Sequence, residues 1–247
     1  MQLHESETTT RLQTFPAPPR AVQARSRARE RASVNERIRR ALNIVVALVA
    51  VVCTAPLMML VALAVKLSSP GPIIYKQARV GLNRRRKSDS WDGQDRRRSM
   101  DRGGRIFTIY KFRTMRVEEA PSQVWASRDD PRITPIGRFL RATRLDELPQ
   151  LFNVLKGDMN IVGPRPEQPD IFVDLSSQVT GYRRRQDVLP GITGWAQINA
   201  GYDENLDDVR RKVRLDLEYI GRRSTVEDLN IMARTVPVVV LRKVWKE

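Results

Sequence analysis

Two adjacent carboxylates, Asp146 and Glu147, lie in the stretch TRLDELPQLFNVLKGDMNIVGPRP at residues 143–166. Arginines flank them on both sides, at Arg138, Arg141, Arg144 and Arg165. Carboxylates among cations suit phosphoryl transfer, because one carboxylate can attack phosphorus or hold a metal ion while arginines neutralise the phosphate oxygens. The same pattern is typical of a salt-bridged helix start, so both interpretations stay open at this point.

The composition of the 247-residue chain restricts which chemistry is available. Lysine and arginine number 44 against 28 aspartate and glutamate, a net charge of +16. This excess predicts an anionic partner: nucleic acid, anionic lipid or a phosphorylated substrate. Cys53 is the only cysteine and His4 the only histidine. An intrachain disulfide, a cysteine-based zinc cluster and histidine acid–base catalysis are therefore excluded.

The N-terminal third of the chain contains the longest apolar stretch. Residues 1–35 have too few large apolar side chains for a core, and we expect a disordered basic arm there. Ala41–Val65 then provides 25 residues without a charge. As a straight helix they would measure about 37 Å, more than the roughly 30 Å of a bilayer's hydrocarbon core. A membrane helix is predicted at residues 36–67.

Two features argue that this helix does not simply cross the bilayer. Pro56 has no backbone N–H and leaves the Val52 carbonyl unpaired, which favours a sharp bend. Both flanks are basic, with net charges of +6 over Arg20–Arg40 and +7 over Lys66–Lys87, whereas a spanning helix is expected to have asymmetric flanks. A helix broken at Pro56 that returns to the same leaflet explains both features. The sequence by itself leaves a re-entrant and a spanning helix open.

Residues 68–247 are predicted to form a cytoplasmic domain that is mainly α with a small β hairpin, an α+β fold. The hairpin arms are Ile73–Val80 and Arg105–Met115, and residues 81–104 between them are predicted to be a mobile insertion. Asp146 falls at or near the N-cap of one predicted helix, a position that favours anions and also suits an ordinary capping aspartate. A helix at Ile136–Thr143 is predicted from the Asp130-Pro131 turn and Thr134 before it. Apolar spacing predicts further helices at Glu147–Leu155, Asp207–Arg222 and Val226–Trp245.

Two turn-rich segments lie near basic residues in the second half of the chain. GPRP at Gly163–Pro166 predicts a stiff, extended backbone that presents Arg165. PGITGWAQ at Pro190–Gln197 is a glycine-rich loop. Such segments suit a phosphate or nucleotide cradle, and they equally suit a tight connector.

Several long motifs in this order resemble the bacterial monotopic phosphoglycosyl transferases, also called bacterial sugar transferases. The closest likeness is to the small type that starts exopolysaccharide or glycan repeat units. The resemblance runs from about Arg37 to the C-terminus. It rests on the apolar helix interrupted by Pro56 and on SPGPIIYKQARVG (69–81), YKFRTM (110–115), DPRITPIGRFLR (130–141), LDELPQLFNVLKGDMNIVGPRP (145–166) and PGITGWAQ (190–197).

The resemblance implies an enzyme held in one leaflet of the bacterial inner membrane by a re-entrant helix, with its catalytic domain on the cytoplasmic face. It would transfer a hexose-1-phosphate from a UDP-sugar to undecaprenyl phosphate or another polyprenyl phosphate, releasing UMP. Asp146 would be the nucleophile that forms a covalent phosphosugar–aspartyl intermediate, and Asp146 and Glu147 would hold Mg²⁺. The residues that match the family's phosphate- or nucleotide-binding positions are Lys111, Arg113, Arg141, Arg165 and Asp216.

The sequence departs from the family pattern in three places. Residues 81–104 replace what is usually a short turn, and Ala55 precedes Pro56 where serine is frequent. The loop after GWAQ continues as INAGY, where an NGR-like ending is common. The second departure concerns the hydrogen bonding of the bend, and the third touches a region that could contact nucleotide or sugar.

A competing hypothesis is a membrane-tethered basic module, without enzymatic activity, that binds nucleic acid or anionic lipid. The net charge of +16 supports it. Aromatic residues make up only 6% of the chain and do not punctuate the basic runs as base-stacking platforms would, so a nucleic-acid partner is not expected. The expected partners are a UDP-sugar, undecaprenyl phosphate and membrane lipid. The sequence leaves open which sugar is carried and whether the protein is a homo-oligomer.

Overall fold

A computed structural model describes residues 20–83, 104–117, 130–201 and 205–241. The chain divides into two compact units, residues 1–37 and residues 38–247. The described residues are mostly helical and include two small sheets, which agrees with the predicted α+β class. In chain order they form α1 (Arg20–Ser68), β1 (Ile74–Val80), β2 (Ile106–Phe112), α2 (Pro135–Thr143), α3 (Gln150–Lys156), β3 (Asn160–Val162), α4 (Pro169–Gln178), β4 (Gly191–Thr193), α5 (Trp195–Asn199), α6 (Leu206–Arg222) and α7 (Thr225–Leu241), with 3-10 helices at Leu145–Glu147 and Tyr182–Asp187.

The predicted membrane helix lies within α1, and the stretch Val34–Ser68 is long and apolar enough to cross a membrane, because an 18-residue window in it has a mean hydropathy of 2.8. α1 begins at Arg20, so residues 20–35 are helical where we expected disorder; their arginines and alanines have high helix propensity. Residues 1–19 lie outside the described residues. α1 continues through Pro56, so Pro56 does not end the helix. A sharp bend there and a return to the same leaflet stay predictions.

Two sections of α1, one on each side of Pro56, pack against the rest of the second unit. Arg39, Asn43 and Ala47 are buried before the proline, and Val61 and Val65 are buried after it. The four-residue spacing within each section places its buried side chains on one face of the helix. The first section packs on a core that contains Phe107, Ile109, Leu151, Val154 and Met159, and the second on a core that contains Phe112 and Leu140.

The predicted hairpin is confirmed. β1 and β2 pair antiparallel, with Ile74 opposite Phe112 and Val80 opposite Ile106. Backbone hydrogen bonds from Gly81 N to Arg105 O (2.9 Å) and from Arg105 N to Leu82 O (3.1 Å) continue the pairing past the strand ends. The predicted mobile insertion, apart from its ends, lies outside the described residues.

A second, parallel sheet was not predicted. β3 and β4 pair through Asn160 opposite Gly191 and Val162 opposite Thr193. The backbone pairing extends into the turn-rich segments, because Gly163 N donates to Thr193 O (2.9 Å) and Gly191 N donates to Pro164 O (3.0 Å). A Cβ on Gly163 would lie 2.5 Å from Leu189 O, so this close approach of two backbones requires glycine. GPRP and PGITG are therefore joined by backbone hydrogen bonds and lie side by side.

Candidate active site

The two carboxylates lie on a 3-10 turn between two helices rather than at a helix start. α2 ends at Thr143, Arg144 adopts a left-handed conformation (φ 60°), and Leu145–Glu147 form the turn. α3 begins only at Gln150, with Pro149 as its N-cap, so the predicted helix start at Glu147 and the N-cap position of Asp146 are wrong. Because Pro149 has no N–H to donate to the Leu145 carbonyl, α-helical hydrogen bonding cannot run from the turn into α3.

Glu147 is held by two basic side chains from separate parts of the fold. Lys111 Nζ donates to Glu147 Oε1 at 2.8 Å. Arg165 donates to the same oxygen from Nη2 at 2.8 Å and to Oε2 from Nη1 at 3.5 Å. Arg144 Nη1 lies 3.8 Å from Oε1. The structure thus brings together four predicted site residues, Asp146, Glu147, Lys111 and Arg165, through β2, the 3-10 turn and GPRP.

Asp146 differs from its neighbour because one of its oxygens has no partner. Asp146 Oδ1 is buried and makes no hydrogen bond within the described residues. A buried polar atom without a partner is costly, so a native structure that retains one has a reason that is often functional. The carboxylate of Asp146 is therefore the group in this cluster that is available for new bonds.

The pKa values of the two carboxyls are driven apart. Burial, reinforced by the adjacent Glu147 charge, raises the pKa of Asp146 to about 6, although Lys111, Arg144 and Arg165 oppose the rise. Burial also acts against the charged form of Glu147, but attraction by Arg165 and Lys111 outweighs it and holds the pKa of Glu147 well below its ordinary value. Burial lowers the pKa of Lys111, which Glu147 partly offsets. Glu147 is thus ionised at neutral pH, and Asp146, with a pKa of about 6, is mainly ionised there as well.

The backbone that presents Arg165 is fixed along four consecutive carbonyls. Gly191 N donates to Pro164 O (3.0 Å), and Val80 N donates to Glu167 O (2.9 Å). The carbonyls of the two residues between Pro164 and Glu167 accept hydrogen bonds from arginine side chains. Arg185 Nη2 donates to Arg165 O (3.0 Å), and Arg79 Nη1 donates to Pro166 O (3.0 Å). The proline-stiffened segment therefore has little freedom to move Arg165 away from Glu147.

The family model described as bacterial sugar transferase matches residues 34–89 and 93–242, more than half of the chain. The chain belongs to the bacterial sugar transferase family. The match includes the 3-10 turn, β2 and GPRP. It therefore contains the two adjacent carboxylates Asp146 and Glu147, called the dyad below, and the two cations Lys111 and Arg165.

The names of the relatives that this chain matches differ in the sugar they contain. It is 41% identical over 206 residues to a UDP-glucose:undecaprenyl-phosphate glucose-1-phosphate transferase of Escherichia coli K12, covering 82% of this chain and 40% of the relative. It is 40% identical to a Caulobacter vibrioides protein of the same name, covering 81% and 68%. An Aeromonas hydrophila UDP-N-acetylgalactosamine-undecaprenyl-phosphate N-acetylgalactosaminephosphotransferase is 38% identical, covering 82% and 43%. The chain spans about two fifths of the E. coli and Aeromonas relatives.

Three of the predicted site residues do not contact Asp146 or Glu147. Arg113 is buried and donates to the carbonyls of Val65, Ser69 and Pro70 at 2.6–3.1 Å, which anchors the end of α1. Arg141 Nε donates to Thr114 Oγ1 at 3.0 Å, and its Nη2 lies 3.1 Å from Met115 Sδ. Asp216, which is 1% exposed, accepts from Arg185 Nε at 2.7 Å. Direct substrate contacts by these residues stay predictions.

Asp216 nevertheless connects to the dyad through Arg185. Its carboxylate orients the Arg185 guanidinium, which in turn binds the Arg165 carbonyl. Burial raises the pKa of Asp216, and the charge and hydrogen bond of Arg185 oppose that rise. Arg185 was not predicted as a site residue, because it is the third arginine of a run at 183–185 and no spacing distinguishes it from its neighbours.

The carboxylate oxygens of the dyad are of the kind that binds Mg²⁺ when waters and substrate phosphates complete the coordination shell. Mg²⁺ prefers carboxylate oxygens and is usually bound by one or two carboxylates together with waters and substrate phosphates. Asp146 Oδ1 is such an oxygen without a partner, whereas Glu147 already bonds to Lys111 and Arg165. Within the ranges that the structure describes, no group of three or more His, Cys, Asp or Glu side chains could hold a metal ion. Magnesium binding by Asp146 and Glu147 stays a prediction.

Proposed function

We propose that this transferase moves a hexose-1-phosphate from a UDP-sugar to undecaprenyl phosphate and releases UMP, the first membrane step of exopolysaccharide or glycan repeat-unit synthesis. The observation that carries the proposal is the contrast within the dyad. Glu147 is neutralised by Lys111 and Arg165, while Asp146 beside it retains a buried oxygen without a partner. The names of the relatives support the same donor and acceptor classes.

The chemistry would proceed in two displacements at one phosphorus atom. A carboxylate oxygen of Asp146 forms a bond to the sugar-bearing phosphorus, and the bond from that phosphorus to the bridging oxygen breaks, so UMP leaves with the electron pair. An oxygen of the lipid phosphate then attacks the same phosphorus, and the bond to Asp146 breaks. The carboxylate is regenerated, and the sugar is left on a polyprenyl diphosphate.

The surrounding cations make the first displacement feasible. A carboxylate and a diphosphate repel each other, so the negative charge at the site must be lowered before they approach. Lys111 and Arg165 compensate the charge of Glu147, and Arg144 lies close by. Bound Mg²⁺ would supply further charge neutralisation on the phosphate oxygens. With a pKa of about 6, Asp146 is largely in the nucleophilic, ionised form at neutral pH.

The contacts of α1 support insertion into one leaflet from the cytoplasmic side. Only residues 48–60 lie between the buried Ala47 and the buried Val61, and these 13 residues are fewer than the roughly 20 that a spanning helix needs. A straight spanning helix would draw one of its two packed sections, with the core it contacts, into the hydrocarbon. Apolar side chains between or beside these sections, such as Val52, Met59 and Leu60, are exposed and suited to lipid.

Release of UMP from a panel of UDP-sugars tests the reaction. Detergent-solubilised protein with Mg²⁺ is assayed with and without undecaprenyl phosphate. Release that depends on Mg²⁺, on one sugar and, for repeated turnover, on the lipid is expected. No release from any UDP-sugar would contradict the proposal and favour the non-enzymatic basic module.

Cysteine labelling tests the membrane arrangement separately. Cys53 is the single, exposed cysteine and would first be replaced by serine. Glu36→Cys and Ser68→Cys then place one probe before and one after the apolar stretch. A membrane-impermeant reagent should reach both from the cytoplasmic side, and labelling from opposite sides would show a spanning helix.

A further inference from the structure

Arg144 has an unusual backbone conformation immediately before the dyad. With φ 60° and ψ 13° it is left-handed, and it is the one non-glycine residue with positive φ among those that the structure describes. It caps the C-terminus of α2, where its N–H donates to Arg141 O. Glycine is the usual residue at such a cap because it has no Cβ to clash. A long side chain at this position calls for an explanation other than helix termination.

The side chain of Arg144 is committed differently from the other two cations at Glu147. Lys111 and Arg165 both donate hydrogen bonds to Glu147 Oε1 at 2.8 Å. Arg144 reaches the same oxygen only as an ion pair at 3.8 Å, and its side chain is 45% exposed. Within the described ranges it makes no side-chain hydrogen bond. Its side chain is therefore accessible to solvent beside Glu147, with its guanidinium donors not used in side-chain hydrogen bonds.

We propose that Arg144 binds the phosphoryl oxygens of the nucleotide-sugar donor and so guides the donor's sugar-bearing phosphorus to Asp146. The inference rests on the proposed function and adds a donor-binding residue to it. The planar guanidinium of arginine suits two phosphate oxygens at once. Arg144 is two residues from Asp146, and the left-handed turn directs the chain into the Leu145–Glu147 turn without moving the guanidinium away from the dyad.

This role accounts for the strained residue. Residues held in sparsely populated backbone regions persist where the surroundings require them, and they cluster at functional sites. Glycine at position 144 would adopt the left-handed conformation without a Cβ clash, but it would remove the solvent-accessible cation beside Glu147. Lys111 and Arg165 differ from Arg144 because each already hydrogen-bonds to Glu147.

The test uses Arg144→Gly, which keeps the backbone conformation favourable and removes only the side chain. UMP release is measured in the first half-reaction, without lipid, over a range of UDP-sugar concentrations. The second-order rate constant of this single turnover, taken from its rate at low donor concentration, should fall about 10- to 100-fold, the loss typical of one charge-assisted hydrogen bond. The melting temperature should stay at or above that of the wild type. Arg144→Lys should retain an intermediate activity because it keeps the charge but not the fork.

Arg138→Ala is the matched control, since Arg138 is an exposed arginine on the same helix. It should leave donor kinetics unchanged. Wild-type kinetics in Arg144→Gly, or an equal loss in Arg138→Ala, would overturn the assignment while leaving the proposed function intact. Absence of UMP release from the wild type would instead refute the proposed function. If Arg144→Gly melts lower than the wild type, Arg144→Asn, which also tolerates left-handed backbone, decides between lost folding and lost binding.

Discussion

Two buried clusters in this protein each pair carboxylates with basic side chains, but they differ in whether every carboxylate oxygen has a partner. In the anchor cluster, Arg39 Nε donates to Asp228 Oδ2 (2.9 Å), Arg39 Nη2 donates to Tyr219 Oη (2.9 Å), and Tyr219 Oη donates to Asp228 Oδ1 (2.7 Å). Both carboxylate oxygens of Asp228 therefore have partners. In the dyad cluster of Asp146, Glu147, Lys111 and Arg165, one oxygen of Asp146 has none.

The comparison shows that a raised pKa does not by itself identify the reactive carboxylate. Burial raises the pKa of Asp228 as it does that of Asp146, although the hydrogen bonds and charge of Tyr219 and Arg39 oppose the rise at Asp228. The distinguishing feature is the hydrogen bonding. The anchor cluster joins α1 to α6 and α7 with its polar groups satisfied, as expected of a structural element. The dyad cluster leaves one carboxylate available for chemistry.

The largest expected effect follows from replacing the reactive carboxylate. Asp146→Asn removes the nucleophile, so kcat for UMP release should fall about 10⁴-fold or more. The matched change in the anchor cluster is Asp228→Asn, which should leave kcat per folded molecule within a few-fold of wild type. Similar losses in the two folded variants would remove the distinction between the clusters.

The next largest effect concerns stability. Asp228→Ala leaves the Arg39 guanidinium buried without its carboxylate partner, so the free energy of unfolding should fall by about 3–5 kcal/mol. Thermal or denaturant unfolding in detergent measures this change. Tyr219→Phe removes one hydroxyl and should lose less, about 1–2 kcal/mol. Wild-type stability in Asp228→Ala would mean that the anchor cluster contributes little to the fold.

Asp146→Asn should have the opposite effect on stability. The folded pKa of about 6 lies above the ordinary value of 3.8, so ionised Asp146 destabilises the fold at neutral pH. The stability that protonated Asp146 contributes is present below about pH 4 and is lost as the pH rises to about 6. Asp146→Asn should therefore exceed wild-type stability by on the order of 2 kcal/mol at pH 7 and by little at pH 4. A gain that does not depend on pH would have another cause.

A smaller effect on activity is expected from weakening the Arg185 hydrogen bond that positions the Arg165 backbone. Arg185→Lys keeps a positive charge beside Asp216 but loses the fork that also holds the Arg165 carbonyl. One weakened hydrogen bond predicts a loss of about three- to tenfold in kcat/KM. Because Asp216 acts through Arg185, Arg185→Lys combined with Asp216→Asn should lose little more than the larger single effect. Additive losses would indicate that Asp216 contacts substrate directly.

The elements with clear local patterns could be predicted from the sequence. Alternating β-branched or aromatic and polar residues predicted the hairpin. The Asp130-Pro131 turn and Thr134 predicted α2, and apolar spacing predicted α6, both close to their observed limits. The hairpin places Lys111 on β2, so one partner of Glu147 follows from the strand itself. The motif resemblance named Asp146, Glu147, Lys111 and Arg165 as site residues, and Lys111 and Arg165 do bind Glu147, but the roles of the four residues stay predictions.

The remaining features depend on contacts between distant segments. β3 and β4 are three residues each, too short for a periodic signal, yet their pairing fixes GPRP and with it Arg165. Arg185 and Arg113 have no local signature, because their roles depend on which carbonyls lie nearby in the fold. The unpartnered oxygen of Asp146 is likewise visible only once the partners of Glu147 are in place.

The most direct measurement is a search for the sugar-phosphate adduct on Asp146. The protein is mixed with Mg²⁺ and the active UDP-sugar without lipid, quenched in acid, digested and examined by mass spectrometry. The proposed mechanism predicts about one UMP per enzyme and a sugar-phosphate on the peptide that contains Asp146, with neither in Asp146→Asn. UMP release only when undecaprenyl phosphate is present, without an adduct on any peptide, would contradict it and indicate direct transfer from donor to lipid.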